Sequence, residues 1–334
     1  MLPQIQFVYN DSTSHVGKLS TIFRTATMQG YTYNGPVDCT RQPDSSNLKG
    51  TTAIVTGGAN GLGEAYVRAL VAAGVNVCIG DLNTKRGKKL ELELPGTKFV
   101  QCNTANWDDQ VRLFQAASKH SPTGRISYVV ANAGIHRPDE VFTYDGDNAE
   151  PRKPNLSTID VNVNGTLYTA KLAMHYFVKQ NGHTPSENQE DTCLVLIGSG
   201  AAFLDVPRAP QYDASKWAMR GIMHSVRRTA YHYGSRVNVI SPWYVRTSIL
   251  SEETFNSIEA LGIQFATVED AGECLIRILS DKSINGKSLF VTARKWAERG
   301  YMDLDLEDYD GIDLLQEIQE EQMRSAPPEA GLFV

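Results

Sequence analysis

The sequence predicts one α/β domain, in which helices cover both faces of a doubly wound parallel sheet of the Rossmann-like type. Between Leu48 and Arg294, short apolar runs alternate with segments of helical periodicity, as they do in a sheet with crossover helices. A glycine-rich turn directly follows the first apolar run and precedes the first helical segment. We therefore assign residues 48–294 to the domain, 1–47 to an N-terminal extension and 295–334 to an acidic C-terminal tail.

The strands are expected where short, mostly apolar runs stand, at 52–56, 76–81, 97–101, 126–131, 193–198, 236–241 and 287–292. The helices are expected near 61–73, 84–93, 107–119, 157–180, 212–233 and 267–280. In the tail, Ile312, Leu315 and Ile318 are spaced for a short amphipathic helix, and the charge run is expected to face solvent. The extension is polar and without clear periodicity, so it predicts no element.

The composition argues against several classes of function. A formal net charge of −6 provides no basic surface for nucleic acid. The 5 cysteines are scattered and odd in number, which favours buried thiols in a reducing compartment. The 7 histidines never show the spacing of a metal site, so no metal is expected. Without an apolar run of membrane-spanning length or a secretory signal, the expected location is the cytoplasm.

The glycine-rich turn spans residues 56–63 and reads Thr-Gly-Gly-Ala-Asn-Gly-Leu-Gly. Glycines allow a tight turn and let a pyrophosphate approach the backbone at a helix N-terminus. The next strand ends at Asp81, whose carboxylate suits both ribose hydroxyls of NAD and repels the 2′-phosphate of NADP. The alternative for Asp81 is a helix cap or turn residue. Because Lys85 and Arg86 follow closely, binding of NADP stays open.

The residues expected to carry the chemistry are Tyr212, Lys216 and Ser199. Tyr212 and Lys216 share one face of a helix, so the ammonium is expected to lower the pKa of the phenol from about 10. Ser199 follows the apolar run 193–197, at the carboxyl end of a strand, where open α/β sheets bind ligands. Taken alone, a Tyr and a Lys on one helix would indicate only a partly buried face.

Five motifs in this order resemble the short-chain dehydrogenase/reductase family in its single-domain form: the glycine turn, Asn132-Ala133-Gly134, Asn162, the Ser199/Tyr212/Lys216 set and Pro242 to Thr247. The segments are similar to fungal secondary-metabolism dehydrogenases and, more distantly, to hydroxyprostaglandin dehydrogenases. The resemblance implies catalytic roles for Asn162, Ser199, Tyr212 and Lys216. It implies cofactor contacts for Gly57, Asn60, Gly61, Leu62, Gly63, Asp81, Leu82, Asn103, Asn132, Ala133, Gly134, Tyr212, Lys216, Val245 and Thr247.

The resemblance also has departures and open points. Asn103 stands where the family usually has an Asp that faces the adenine, and Trp243 stands where a Gly is usual. Family members hold a water on the backbone carbonyl at the position of Asn162, with Asn164 a competing candidate here. His136 either reaches the substrate pocket or is a loop histidine near solvent. Residues 248–265 match the variable substrate lid; their apolar side chains favour a hydrophobic or polycyclic substrate if some face inward with Phe203, Trp243 or Tyr244.

These features predict an NAD-dependent oxidoreductase that interconverts a secondary alcohol and a ketone in a hydrophobic or polycyclic small molecule, with a role in secondary metabolism. The nicotinamide is expected to take the hydride while Tyr212 takes the hydroxyl proton. The alternatives are a redox-neutral enzyme, such as a cyclase, dehydratase or epimerase, and a non-catalytic NAD-binding protein. Apolar residues along 157–180 and 212–233 predict a homodimer or homotetramer.

Overall fold

The computed structural model describes residues 30–328 and 331. Its strands are Thr52–Thr56 (β1), Asn76–Asp81 (β2), Thr97–Gln101 (β3), Tyr128–Ala131 (β4), Thr192–Ile197 (β5), Ser235–Pro242 (β6), Ser288–Val291 (β7) and Tyr301–Asp303 (β8). Within the described residues they form one sheet in the order β3-β2-β1-β4-β5-β6-β7-β8. Every neighbouring pair is parallel except β7 and β8, which are antiparallel.

Helices cover both faces of the sheet: Gly61–Ala72 (α1), Thr84–Glu93 (α2), Trp107–His120 (α3), Ser157–Ile159 (α4), Gly165–Asn181 (α5), Pro210–Val226 (α6), Glu252–Ala260 (α7), Val268–Ser280 (α8) and Asp313–Ser325 (α9). One apolar cluster lies under α1, α2 and α8, and a second lies under α3, α5 and α6. The predicted doubly wound α/β fold is therefore confirmed. In the part of the chain described, no helix is long and apolar enough to cross a membrane.

The expected strands are all present, with bounds within two residues of the prediction. The helix expected over 212–233 is wrong at its C-terminal end, because α6 ends at Val226 and a separate 3-10 turn covers Ala230–Tyr233. The sequence did not predict β8 or α7. β8 is only three residues long, and its place at the sheet edge depends on pairing with β7. No local sequence pattern predicts that pairing.

The chain beyond β8 is held against α6 by a buried ionic cluster. Glu307 is only 3% exposed, and its two carboxylate oxygens contact Arg220 Nε at 2.8 Å and His224 Nε2 at 2.7 Å. Arg227 donates to the Glu307 carbonyl at 2.9 Å. The expectation that the charges of the tail face solvent is therefore wrong at Glu307. It holds for α9, of which no residue is buried.

The described part of the N-terminal extension joins the same cluster. The Tyr31 hydroxyl donates to the Asp308 carboxylate at 2.6 and 2.7 Å, and the Arg227 guanidinium lies 4.2 Å from the Tyr31 ring centroid. Segments before β1 and after β8 thus meet at the C-terminal end of α6, the helix that carries Tyr212 and Lys216. The remainder of the predicted extension, residues 1–29, lies outside the described residues.

Candidate active site

A cleft of about 740 Å³ lies at the carboxyl ends of the strands, where the strand order reverses between β1 and β4. Open α/β sheets bind ligands in this crevice. The predicted site residues that line it are Gly57, Asn60, Gly61, Leu62, Gly63, Asp81, Leu82, Asn103, Asn132, Ala133, Gly134, Ser199, Tyr212, Lys216, Val245 and Thr247. Asn162 is the exception, and it lies behind the lining.

The glycine turn has a conformation that requires its glycines. Gly57 and Gly61 have φ angles of +61° and +53°, a region that L side chains rarely adopt. At Gly63, a Cβ would lie 2.0 Å from the Gly57 carbonyl oxygen, which excludes any side chain. Asn60 stands at the N-cap of α1 but makes no capping hydrogen bond, and its amide nitrogen donates to the Ser248 hydroxyl of the lid. The first N–H groups of α1 therefore have no side-chain cap.

Asn132 braces the glycine turn from the end of β4. Its side-chain amide donates to the carbonyl oxygens of Thr56 at 2.9 Å and Gly57 at 3.0 Å. The Thr56 hydroxyl in return accepts from the backbone N–H groups of Asn132 and Ala133. The two loops at the point of strand reversal are thus fixed to each other. Thr56 was not predicted as a site residue, although it stands in the predicted motif.

Asp81 holds two backbone turns at the end of β2. One carboxylate oxygen accepts from Ala59 N at 2.9 Å, and the other accepts from Asn83 N at 2.8 Å. Asp81 therefore does act as a turn residue, as the alternative interpretation predicted. The carboxylate also lines the cleft, beside Leu82 and Asn103. The Asn103 side-chain oxygen accepts from Ala105 N at 3.1 Å, so it stabilises its own loop as well.

Tyr212, Ser199 and Lys216 line the same cleft, and Tyr212 is hydrogen-bonded to Ser199. The Lys216 Nζ donates to the Ile197 carbonyl at 3.0 Å, and it lies 5.5 Å from the Tyr212 ring centroid. Ser199 follows β5, and its hydroxyl accepts from Ala201 N at 3.2 Å, which starts a 3-10 turn. α6 begins with Pro210 in its first turn, so Tyr212 lies near the helix N-terminus and faces the end of the sheet.

The pKa values of the two titratable groups are set mainly by burial. Burial raises the pKa of the Tyr212 phenol; a hydrogen bond with Ser199 opposes this, and the Tyr244 phenol adds to it. Burial lowers the pKa of Lys216 to about 8. The expected lowering of the Tyr212 pKa by Lys216 is therefore wrong for the protein groups alone. The low-dielectric site disfavours the charged form of both side chains.

Asn162 supports the site from within a distorted helix. A π-helical turn, Asp160–Asn164, joins α4 to α5, and such turns often mark functional sites. The Asn162 amide accepts from Ile135 N at 2.8 Å and donates to Ser215 Oγ at 3.1 Å. Ser215 in turn donates to the Tyr212 carbonyl at 2.7 Å. Asn162 thus connects the loop after β4 to α6. Ser215 completes this hydrogen-bond network and was not predicted from the sequence.

The segment predicted as the lid forms part of the cleft wall. Ile249, Leu250, Phe255 and Ile258 line the cleft, together with Trp243 and Tyr244. Phe255 packs against Phe265, with ring centroids 5.6 Å apart, so part of the lid is self-packing. Phe203 does not line the cleft, because it packs on Phe290 and under the Arg220 guanidinium.

His136 also faces the cleft, in an edge-to-face contact with Tyr212 at 4.9 Å between ring centroids. Burial lowers the pKa of this imidazole, while the charge of Asp139 opposes the shift. Of the two alternatives for His136, the structure supports the one that places it in the pocket.

Comparison with known proteins decides the family. A model described as short chain dehydrogenase matches residues 51–256, which is more than half of the chain. The chain belongs to the short-chain dehydrogenase family. The predicted resemblance is thereby confirmed, and the protein is an enzyme of this oxidoreductase family, whose members use NAD(P).

Three relatives of this dehydrogenase illustrate the match. The 5'-hydroxyaverantin dehydrogenase of Dothistroma septosporum is 31% identical, over 74% of this chain and 86% of its own length. The NADP-dependent dehydrogenase M3 of a Phoma species is 29% identical, over 79% and 81%. The 15-hydroxyprostaglandin dehydrogenase [NAD(+)] of Rattus norvegicus is 28% identical, over 75% and 93%. These agree with the predicted similarity to fungal secondary-metabolism and hydroxyprostaglandin dehydrogenases.

The cleft of this dehydrogenase has the features that an NAD(P) dinucleotide requires. The uncapped N-terminus of α1 offers backbone donors and a favourable dipole to a pyrophosphate. A Cβ on Gly61 would make a tight contact of 3.1 Å with the Thr247 Cβ, and the φ angle of +53° also favours glycine here. Asp81 stands at the end of β2, where a ribose would lie in this fold. Within the described residues, no group of three or more His, Cys, Asp or Glu could hold a metal ion.

Proposed function

We propose that this dehydrogenase uses NAD to interconvert a secondary alcohol and a ketone in a hydrophobic, polycyclic small molecule. The observation that carries the proposal is the convergence of Ser199, Tyr212 and Lys216 in the cleft that contains the glycine turn. A hydroxyl donor, a phenol and an ammonium at one point can bind a carbinol oxygen and move its proton. The bound dinucleotide would supply the hydride acceptor or donor.

The proton is handled by Tyr212. During oxidation its phenolate oxygen takes the hydroxyl proton, and during reduction the phenol returns it to the ketone oxygen. Ser199 holds the reacting oxygen, and Lys216 holds a positive charge beside the phenol, 5.5 Å from the ring centroid. Because burial raises the pKa of Tyr212, the phenol is protonated at neutral pH, which favours ketone reduction there and alcohol oxidation at higher pH.

The proposed preference for NAD rests on Asp81. Its carboxylate lines the cleft, and both of its oxygens are fixed by backbone N–H groups, so it cannot easily turn away from a 2′-phosphate. The NADP-dependent relative makes NADP the competing choice. Lys85 and Arg86 are both exposed on α2 and are the cations that would favour it.

The proposed substrate class rests on the apolar wall of the cleft. The lid contributes Ile249, Leu250, Phe255 and Ile258, and the end of β6 contributes the rings of Trp243 and Tyr244. A wall of this kind binds hydrocarbon and aromatic rings, while Ser199, Tyr212 and His136 supply the few polar groups that orient them. A role in secondary metabolism is consistent with this substrate class.

The test is turnover by the purified protein. A panel of cyclic and acyclic secondary alcohols would be supplied with NAD or NADP, and reduced cofactor would be measured together with the ketone product. We expect stoichiometric NADH and ketone, with cyclic apolar alcohols preferred. A product formed without net NADH would favour the redox-neutral alternative. NAD binding without turnover of any alcohol or ketone would favour the non-catalytic one.

Assembly is part of the proposal. Of the apolar residues that predicted it, Ala173, Met219 and Met223 are buried within the chain, whereas Leu167 is 45% and Trp217 is 48% exposed. Exposed rings and aliphatic groups on α5 and α6 are suited to contact a second copy. We expect light scattering at micromolar concentration to give a dimer or tetramer, and Leu167→Glu with Trp217→Glu to shift it toward the monomer. A monomeric wild type would contradict the prediction.

A further inference from the structure

A second cavity, of about 650 Å³, lies between the segment after α7 and the edge strands β7 and β8. Its walls are mostly apolar and include Leu204, Ile263, Phe290, Trp296 and Met302. We call it the rear cavity, and we call the cleft with Tyr212 the front cleft. Among the described residues, Trp243 alone lines both. The two spaces are therefore neighbours that share one lining residue.

The Trp243 indole is held in place by its surroundings. Its backbone N–H donates to the Val291 carbonyl at 2.8 Å, so the residue continues the pairing of β6 with β7. Its ring meets Tyr244 in an edge-to-face contact, with centroids 4.7 Å apart. The indole also lies against the backbone of Gly200, where a Cβ would lie 2.9 Å from Trp243 Cε3. Because Gly200 follows Ser199, the indole stands one residue from a group that is proposed to hold the reacting oxygen.

We propose that Trp243 is the partition that sets the upper size limit of the substrate, and that the rear cavity is an extension of the substrate site that the indole closes. The ligand class for this extension is the apolar, fused-ring part of a substrate whose carbinol carbon stays at Tyr212. The inference rests on the proposed function for the position of the reacting carbon. The cavity itself, and the contact of Trp243 with Gly200, do not depend on it.

Removal of the indole should join two spaces of comparable volume. Trp243→Ala deletes the ring and leaves the backbone bond to Val291 unchanged. The joined site would accept rings that the wild type excludes sterically. Each additional buried methylene-sized group is worth roughly 10- to 200-fold in discrimination in a hydrophobic pocket. We therefore expect at least a tenfold change in relative kcat/KM when one further fused ring has room.

The experiment uses benzylic secondary alcohols with two, three and four fused rings, beginning with 1-tetralol, and NAD as cofactor. Trp243→Ala and the smaller change Trp243→Phe would be compared with the wild type. Trp107→Ala is the matched control, since Trp107 is a partly exposed residue of α3 that lines neither space. In the double variant Trp243→Ala with Leu204→Trp, the new indole should refill the rear cavity. Leu204 lines this cavity and is 46% exposed, so a larger side chain has room at its rim.

A second readout needs no turnover. Pyrene, an apolar four-ring hydrocarbon, would be titrated into each protein by fluorescence in the presence of NAD. The proposal expects Trp243→Ala to bind pyrene at least tenfold more tightly than the wild type, and to turn over the larger alcohols at least tenfold better relative to 1-tetralol. Leu204→Trp should reverse both gains, and Trp107→Ala should produce neither.

The proposal is overturned if folded Trp243→Ala and Trp243→Phe keep the wild-type ring-size preference and the wild-type affinity for pyrene. Gains that persist when Leu204→Trp is added would also overturn it, because the extra space would then lie elsewhere. If the wild type oxidises none of the alcohols, the proposed function fails, and the pyrene titration still decides whether Trp243 separates the two spaces.

Discussion

The ammonium of Lys216 donates a 3.0 Å hydrogen bond to the carbonyl oxygen of Ile197, the last residue of β5. This bond ties α6 to the carboxyl edge of the sheet and fixes the cation beside Tyr212. It also satisfies one donor of a side chain that is only 6% exposed. The packing of α6 against the sheet therefore fixes the position of the Lys216 ammonium. Burial of this charge destabilises the folded state.

Tyr212→Phe should abolish most of the turnover while the domain and its cofactor site persist. The substitution removes one oxygen, which is the group proposed to exchange the proton, so alcohol oxidation should fall by about 10²–10⁴-fold. The change would be measured as kcat for oxidation, with NAD affinity determined separately by calorimetry. Tyr309→Phe, at an exposed position in the C-terminal segment, is the control. Retention of most of the wild-type kcat with normal NAD binding would rule out Tyr212 as the base.

Lys216→Met should change the pH dependence of the free energy of unfolding. Burial lowers the pKa of Lys216 from its ordinary value of about 10.5 to about 8, so the folded state carries an unfavourable buried charge at pH values below 8. As the pH rises from about 8 to 10.5, the unfolded state holds more protons than the folded state, and the wild type gains stability.

The gain of the wild type relative to Lys216→Met over this pH window should approach roughly 3 kcal/mol. Urea unfolding at a series of pH values measures it, and the difference between the two proteins removes the contribution of the other titrating groups. Parallel pH profiles for the two proteins would show that the pKa of Lys216 is not lowered.

Asp81→Asn should relax the choice between NAD and NADP. The amide keeps one oxygen acceptor for the backbone turns but removes the negative charge that opposes a 2′-phosphate. We expect the ratio of kcat/KM for NAD over NADP to fall by about tenfold or more, which corresponds to about 1.4 kcal/mol. Asp310→Asn, at an exposed position, is the control. An equal loss for both cofactors would indicate that Asp81 acts only through the glycine turn, and a wild-type preference for NADP would refute the assignment.

Glu307→Ala should destabilise the domain by about 3–5 kcal/mol, because it leaves Arg220 and His224 without their buried partner. Burial raises the pKa of Glu307, but the hydrogen bond from His224 and the charge of Arg220 outweigh it, so the pKa is lowered overall. A lowered carboxyl pKa gives stability that is complete above its ordinary value and is lost as the pH falls through the folded pKa.

Thermal unfolding between neutral and acid pH measures this contribution of Glu307. The wild type should lose stability in acid more steeply than Glu307→Ala. Glu321→Ala, which removes an exposed carboxylate of α9 that pairs with Arg324, should change stability by no more than about 0.5 kcal/mol. Similar effects of the two substitutions would show that the Glu307 cluster does not anchor the C-terminal segment to α6.

The sequence predicted seven of the eight strands of the described sheet and most of the residues that line the cleft, because both depend on local patterns. Strand and helix periodicity placed β1 to β7, and the motif residues follow strand ends, which parallel topology brings to one edge. The glycines of the turn could be predicted for the same reason, because the turn itself requires the positive φ angles of Gly57 and Gly61. The family resemblance added the roles proposed for these residues.

Tertiary structure alone decided the features that depend on distant contacts. In the sequence, nothing distinguishes Glu307 from the other acidic residues of its charged segment. Packing against α6 nevertheless buries it between the Arg220 guanidinium and the His224 imidazole. Burial by residues far along the chain raises the pKa of Tyr212, whereas the sequence predicted that Lys216 would lower it. Trp243 lines two spaces only because the end of β6, the strand β7 and the segment after α7 are brought together in the fold. Periodicity reports which side of an element is buried, but only the assembled fold determines what that side touches.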